Sequence, residues 1–159
     1  MKTIRRNVFE TNSSSTHSIT MCMESDYEKW KNGELYYLEG NDEFVNKEQR
    51  DIILKELVLK DKMDIDYNAQ TITFKGQTVH YEDWEDKCKK IDDFCTDDNL
   101  NEITKEEVEE YFESNFDRYE MPCTYDEYYD DLEYETYETK FTTPKGESVI
   151  SFGYYGQDY

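Results

Sequence analysis

Two groups of side chains in this 159-residue chain could do chemistry. The first is the block Arg5-Arg6-Asn7-Val8-Phe9-Glu10-Thr11-Asn12-Ser13-Ser14-Ser15-Thr16-His17-Ser18. Arg5 and Arg6 could clamp a phosphate bidentately, and the hydroxyls of Ser13, Ser14 and Ser15 with nearby backbone N–H groups could cradle it. His17 would then stand as a general acid or base. That constellation suits a phosphate- or nucleotide-binding enzyme. The same hydroxyls equally suit a turn that bonds its own backbone ahead of a first strand. No G-x-x-x-x-G-K-[ST], G-x-G-x-x-G or G-x-S-x-G spacing accompanies the block, so it carries no motif of its own for catalysis.

The second group is acidic. Seventeen carboxylates and two basic residues lie between Asp97 and Glu138, most of the net charge of −21. Such a surface repels nucleic acid and attracts the proteins that grip it, so the chain is expected to bind no nucleic acid directly. From Thr104 to Tyr119 the pattern predicts a helix opened by the capping box Thr104-x-x-Glu107. Glu106, Glu110, Glu113 and Asp117 form one stripe on it, with Val108, Tyr111, Phe112, Phe116 and Tyr119 opposite. Asp126, Asp130 and Asp131 extend the acid, and Tyr128 among them offers contact area with a polar tip, as interfaces favour. These residues are the expected partner-binding surface. A solvated face that keeps the chain soluble is the plainer alternative.

Clustered carboxylates could also hold Mg²⁺ or Ca²⁺ weakly. Asp64-Ile65-Asp66-Tyr67-Asn68 starts like a calcium loop, but Ala69 and Lys75 stand where the loop needs Gly and Glu. Cys22, Cys88, Cys95 and Cys123 match no zinc spacing, and two histidines make a His-rich site improbable. No metal or cofactor is expected. No apolar run is long enough to span a membrane, and no hydrophobic segment follows the opening charges, so the expectation is a cytoplasmic chain with reduced thiols and no signal peptide.

The remaining elements follow from periodicity. Strands are expected at 18–23 and 35–38, and hairpins at 71–81 and 134–155. Helices are expected at 25–30, 47–60, 84–95 and 125–132. In the third of these, Trp84, Cys88, Ile91 and Cys95 line an apolar stripe. Aromatics at 16% argue against disorder despite 36% charged residues. The sum is α+β: one acidic globular domain over residues 1–159, with a mainly antiparallel sheet, helices on one face and a C-terminal β-hairpin.

The 5–18 block, with the ending Val149-Ile150-Ser151-Phe152-Gly153-Tyr154-Tyr155-Gly156, resembles small proteins of undefined function from phages and Gram-positive bacteria. That resemblance implies a mobile-element origin and brings no catalytic residues with it. Phages deploy acidic proteins against restriction enzymes and CRISPR nucleases. By this analogy the expected function is non-enzymatic: inhibition of a bacterial nucleic-acid-binding defence enzyme, a CRISPR effector before a restriction enzyme, through mimicry of nucleic acid. A structural or adaptor role in the virion is the other non-enzymatic reading. Two copies related by a two-fold axis could also join their acidic faces.

Overall fold

Alternating polar and apolar residues at 18–23 form part of a longer strand, β2 (Ser15–Met23), which pairs antiparallel on both sides. The computed structural model describes the backbone of residues 3–11, 15–130 and 132–157, with side chains at 18–130 and 132–156. On one side of β2 lies β1 (Thr3–Thr11), with Arg6 opposite Thr20 and Thr11 opposite Ser15. On the other lies β9 (Ser148–Gln157), with Thr20 opposite Phe152. The order β1-β2-β9-β8 is completed by β8 (Glu135–Thr142). Of the polar residues at 10–16, expected as a loop, 10 and 11 belong to β1 and 15 and 16 to β2. Thr is β-branched and suits a strand, and pairing satisfies backbone groups that a loop would leave to water.

The fold is α+β with antiparallel pairing throughout and the expected C-terminal hairpin. Among the described residues the strands form three sheets: the four-stranded sheet, a pair, and a three-stranded sheet. The chain divides into two compact units, Met1–Arg50 with Asp117–Tyr159, and Asp51–Phe116. No helix of the described residues is long and apolar enough to cross a membrane.

In the first unit, α1 (Glu24–Lys31) buries Tyr27 and Trp30, three residues apart on one face. Strands β3 (Tyr36–Leu38) and β4 (Glu43–Val45) pair through a turn at Asp42, whose φ is +53°. Around Trp30 stand the rings of Tyr37, Phe44, Tyr125, Tyr128 and Phe152, at centroid distances of 5.5, 5.7, 5.2, 5.3 and 5.3 Å. The Trp30 indole N–H donates to the Cys123 carbonyl at 3.1 Å. Beside this cluster Cys22 is fully buried. Burial first, then the negative charges of Asp26 and Asp42, pushes its thiol up to about 12.

The second unit takes most of α2 (Lys47–Asp61), then β5 (Asp64–Asp66), β6 (Thr71–Phe74) and β7 (Gln77–His80). The β6–β7 turn places Lys75 and Gly76 at φ +50° and +76°, the conformation of a two-residue hairpin turn. Helices α3 (Trp84–Phe94), α4 (Asp97–Asn101) and α5 (Lys105–Asn115) follow. Its core holds Val58, Leu59, Met63, Ile72, Phe74, Tyr81, Phe94, Leu100 and Ile103.

Gly153 sets a tight constraint on the four-stranded sheet. A Cβ there would lie 1.9 Å from the Ser18 carbonyl oxygen, which already accepts the Tyr137 hydroxyl at 2.6 Å. Gly153→Ala is therefore expected to force β2 and β9 apart locally and to cost about 1–3 kcal/mol, read as a lower urea midpoint.

Candidate functional site

Helix α5 begins where the sequence places it. The Thr104 hydroxyl accepts from Glu107 N–H at 3.2 Å, and the Glu107 carboxylate accepts from Thr104 N–H at 2.8 Å. Val108 and Tyr111 pack against the core of their unit. On the outside Glu106, Glu109, Glu110 and Glu113 are exposed. At 1.5 Å per residue they span about 10.5 Å, or one carboxylate per roughly 3.5 Å. A single strand of B-DNA carries one charge per about 3.4 Å of axis. Like charges at this spacing oppose the helix by a few tenths of a kcal/mol per pair, which the cap and the packed face outweigh. Among the described residues, Glu109 is the one of these four with an ion-pair partner, Lys105 at 3.8 Å.

Asp117 leaves the stripe. Helix α5 ends at Asn115, whose side-chain amide donates to the Tyr111 carbonyl at 3.1 Å, and Phe116 turns to extended backbone. Asp117 then builds a turn: its carboxylate accepts from Tyr119 N–H at 2.8 Å and its carbonyl from Met121 N–H at 2.8 Å. Glu106, Glu110 and Glu113 share one face in the Asp51–Phe116 unit, while Asp117, Asp126 and Asp130 belong to the other unit.

Tyr128 is also displaced from its expected role. Helix α6 (Tyr125–Asp130) carries tyrosines at i, i+3 and i+4, so Tyr125, Tyr128 and Tyr129 turn together toward Trp30. Tyr128 is fully buried, and its hydroxyl bonds no described group. Asp126 and Asp130, on the opposite side, are exposed. Asp131 lies outside the described residues. The helical spacing of the tyrosines was the signal that they form core.

A feature the sequence reading missed borders the α5 stripe. An open groove of about 240 Å³ runs between α2 and α5, lined by Val58, Asp61, Lys62, Glu107, Glu110, Tyr111, Ser114 and Asn115. The Lys62 ammonium is held by the Glu107 carboxylate. Asp61 and Glu110 are thereby left as exposed acids beside an aliphatic and an aromatic side chain. Such a groove suits a long basic side chain, with its methylenes on Val58 and Tyr111 and its charge near Glu110 or Asp61.

Through His17 the N-terminal block is described in backbone only. Arg5 and Arg6 lie on β1 opposite Met21 and Thr20; His17 lies on β2 between Phe9 and Tyr155, and Ser15 opposite Thr11. Ser13, Ser14 and the side chains of residues 5–17 lie outside the described residues, while Ser18 is buried. Among the described residues no group of three or more His, Cys, Asp and Glu is arranged to hold a metal ion.

The hydrogen bond from Lys62 leads the causes that hold the Glu107 carboxyl below its ordinary value, with the Thr104 N–H next. A carboxyl depressed in the folded state adds stability above its unfolded value of about 4.3 and loses it as pH falls through the folded value. Glu107→Gln should therefore destabilise the protein near neutrality, and the difference from the native chain should shrink on acidification below about pH 4, in urea titrations across pH. Comparison with known proteins finds no matching family model, no matching curated protein and no matching solved structure.

Proposed function

We infer that this protein inhibits a bacterial nucleic-acid-binding defence enzyme, a CRISPR effector first among them, by occupying its phosphate-binding groove. The observation that carries this reading is the exposed row of Glu106, Glu109, Glu110 and Glu113 on α5, at a charge spacing close to that of a nucleic-acid strand. Lys and Arg side chains that otherwise hold phosphates would meet this row. The groove bordered by Glu110 and Asp61 would take one of them more deeply. Asp126 and Asp130 on α6, in the other unit, are exposed as well. The choice of a defence enzyme as target is supported by the resemblance to phage proteins, and the choice of mechanism by the charge.

Capture from bacterial lysate in moderate salt tests both. The expected result is retention of a basic nucleic-acid enzyme, its release by excess duplex DNA or RNA, and steep weakening with salt, because exposed charges are screened beyond about 8 Å at physiological ionic strength. Reversing Glu106, Glu110 and Glu113 to Lys should abolish capture and inhibition with the circular dichroism spectrum unchanged. Undiminished capture by this variant would remove α5 from the mechanism.

A further inference from the structure

Periodicity sets Trp84 at the head of an apolar stripe on α3, yet the first turn of this helix is inverted. Trp84 is 72% exposed, while Lys87, one turn later, is 6% exposed. The Lys87 ammonium lies 4.5 Å from the Trp84 ring centroid and 4.6 Å from that of Tyr67, itself 68% exposed. It donates to the Tyr67 hydroxyl at 3.4 Å and makes no ion pair among the described residues. Burying an ammonium is costly, and two ring faces offset part of that cost. The same contact holds two exposed aromatic rings in fixed orientation, with Lys87 beneath them.

The carboxylates next to Trp84 in the chain divide into two kinds. Asp83 accepts from Asp86 N–H at 2.8 Å, and Asp86 accepts from Glu82 N–H at 3.0 Å, so both are engaged at the start of α3. Glu82 and Glu85 flank Trp84, are exposed, and have no side-chain bond to any described residue. Four carboxylates in five residues exceed the charge of Lys87 and the roughly half positive charge of the helix start.

We propose that Trp84 and Tyr67, with the exposed Glu82 and Glu85 beside Trp84 in the chain, form a docking site for an arginine side chain of a basic protein partner. A guanidinium can stack flat on an aromatic face while its edge bonds a carboxylate; an ammonium, compact and strongly hydrated, does not do both. Rings already ordered by Lys87 lose little further freedom on binding. The proposal rests on the preceding reading for the partner's basic character, but uses none of the α5 residues.

The test uses the full chain and two labelled peptides of equal length and charge, one carrying arginine and the other lysine, in fluorescence anisotropy titrations at physiological ionic strength. The arginine peptide should bind roughly three- to fivefold more tightly, the scale of an exposed cation–π contact. Trp84→Ala and Tyr67→Ala should bring that ratio to about one while the lysine peptide binds as before. Without any substitution, the arginine peptide should shield tryptophan fluorescence from acrylamide, because Trp30 is fully buried and only Trp84 is open to the quencher. Equal binding of the two peptides, absence of binding, absence of shielding, or a preference that survives Trp84→Ala would each overturn the site. A variant with Glu106→Gln, Glu110→Gln and Glu113→Gln separates the two readings. If it binds both peptides as the native chain does, the α5 reading is weakened, while a retained arginine preference still supports the Trp84 site.

Discussion

The packing of aromatic rings around Trp30 is the interaction on which the first unit depends. The chain is 36% charged and carries a net charge of −21, so its apolar supply is small and its self-repulsion large. Large rings answer both conditions, since each buries much surface and edge-to-face pairs add about 0.5–1.5 kcal/mol beyond burial. Trp30 collects rings from α1, β3, β4, α6 and β9, and its indole N–H is satisfied by the Cys123 carbonyl. A deeply buried carboxylate of the same unit has partners at hand. Glu39, 1% exposed, receives Arg118 Nε and the Tyr154 hydroxyl, each at 2.8 Å.

With the interior assigned to rings, the acid is sorted by short amphipathic helices. In α6 three tyrosines face inward and Asp126 and Asp130 outward; in α5 Val108 and Tyr111 pack while four glutamates point to solvent. Both helices open with a Thr-x-x-Glu box, at Thr104 and at Thr124, where the Glu127 carboxylate accepts from Thr124 N–H at 2.7 Å. These glutamates stabilise the start of each helix electrostatically, which partly offsets the repulsion farther along. The charge spacing that supports partner binding is thus a product of helix geometry applied to a sequence with little but acid for its outer face.

Features set by local pattern were legible in the sequence. The α5 cap, its exposed glutamates, the β6–β7 turn and the terminal hairpin all depend on residues a few positions apart. Features set by what distant residues can cover were not. Periodicity treats Trp84 as core and Lys87 as surface, and it does not register that two rings can enclose an ammonium. Asp117 fits the arithmetic of a stripe, but the Asn115 side chain and the turn at Asp117 end the helix first. The strand β1 holds Arg5, Arg6 and Asn7, with no clean alternation to announce it. The boundary between units falls inside α2, at Arg50 and Asp51, so no Pro- or Gly-rich linker marks it.

The nesting of Asp51–Phe116 between the two segments of the other unit bears on how the chain is made. Partners for β6, β7, α3 and α5 lie within that stretch, so its contacts can close while the remainder is still being synthesised. The four-stranded sheet has no such option, because β2 pairs with β9 and Trp30 waits for Tyr125, Tyr128 and Phe152. During translation α1 emerges with its indole uncovered, and its protection comes only with the last strands. The unit held together by rings is therefore the one that passes longest through a state open to aggregation. The carboxylates between Asp97 and Glu138 leave the ribosome just ahead of β9, and their mutual repulsion keeps neighbouring nascent chains apart over that interval.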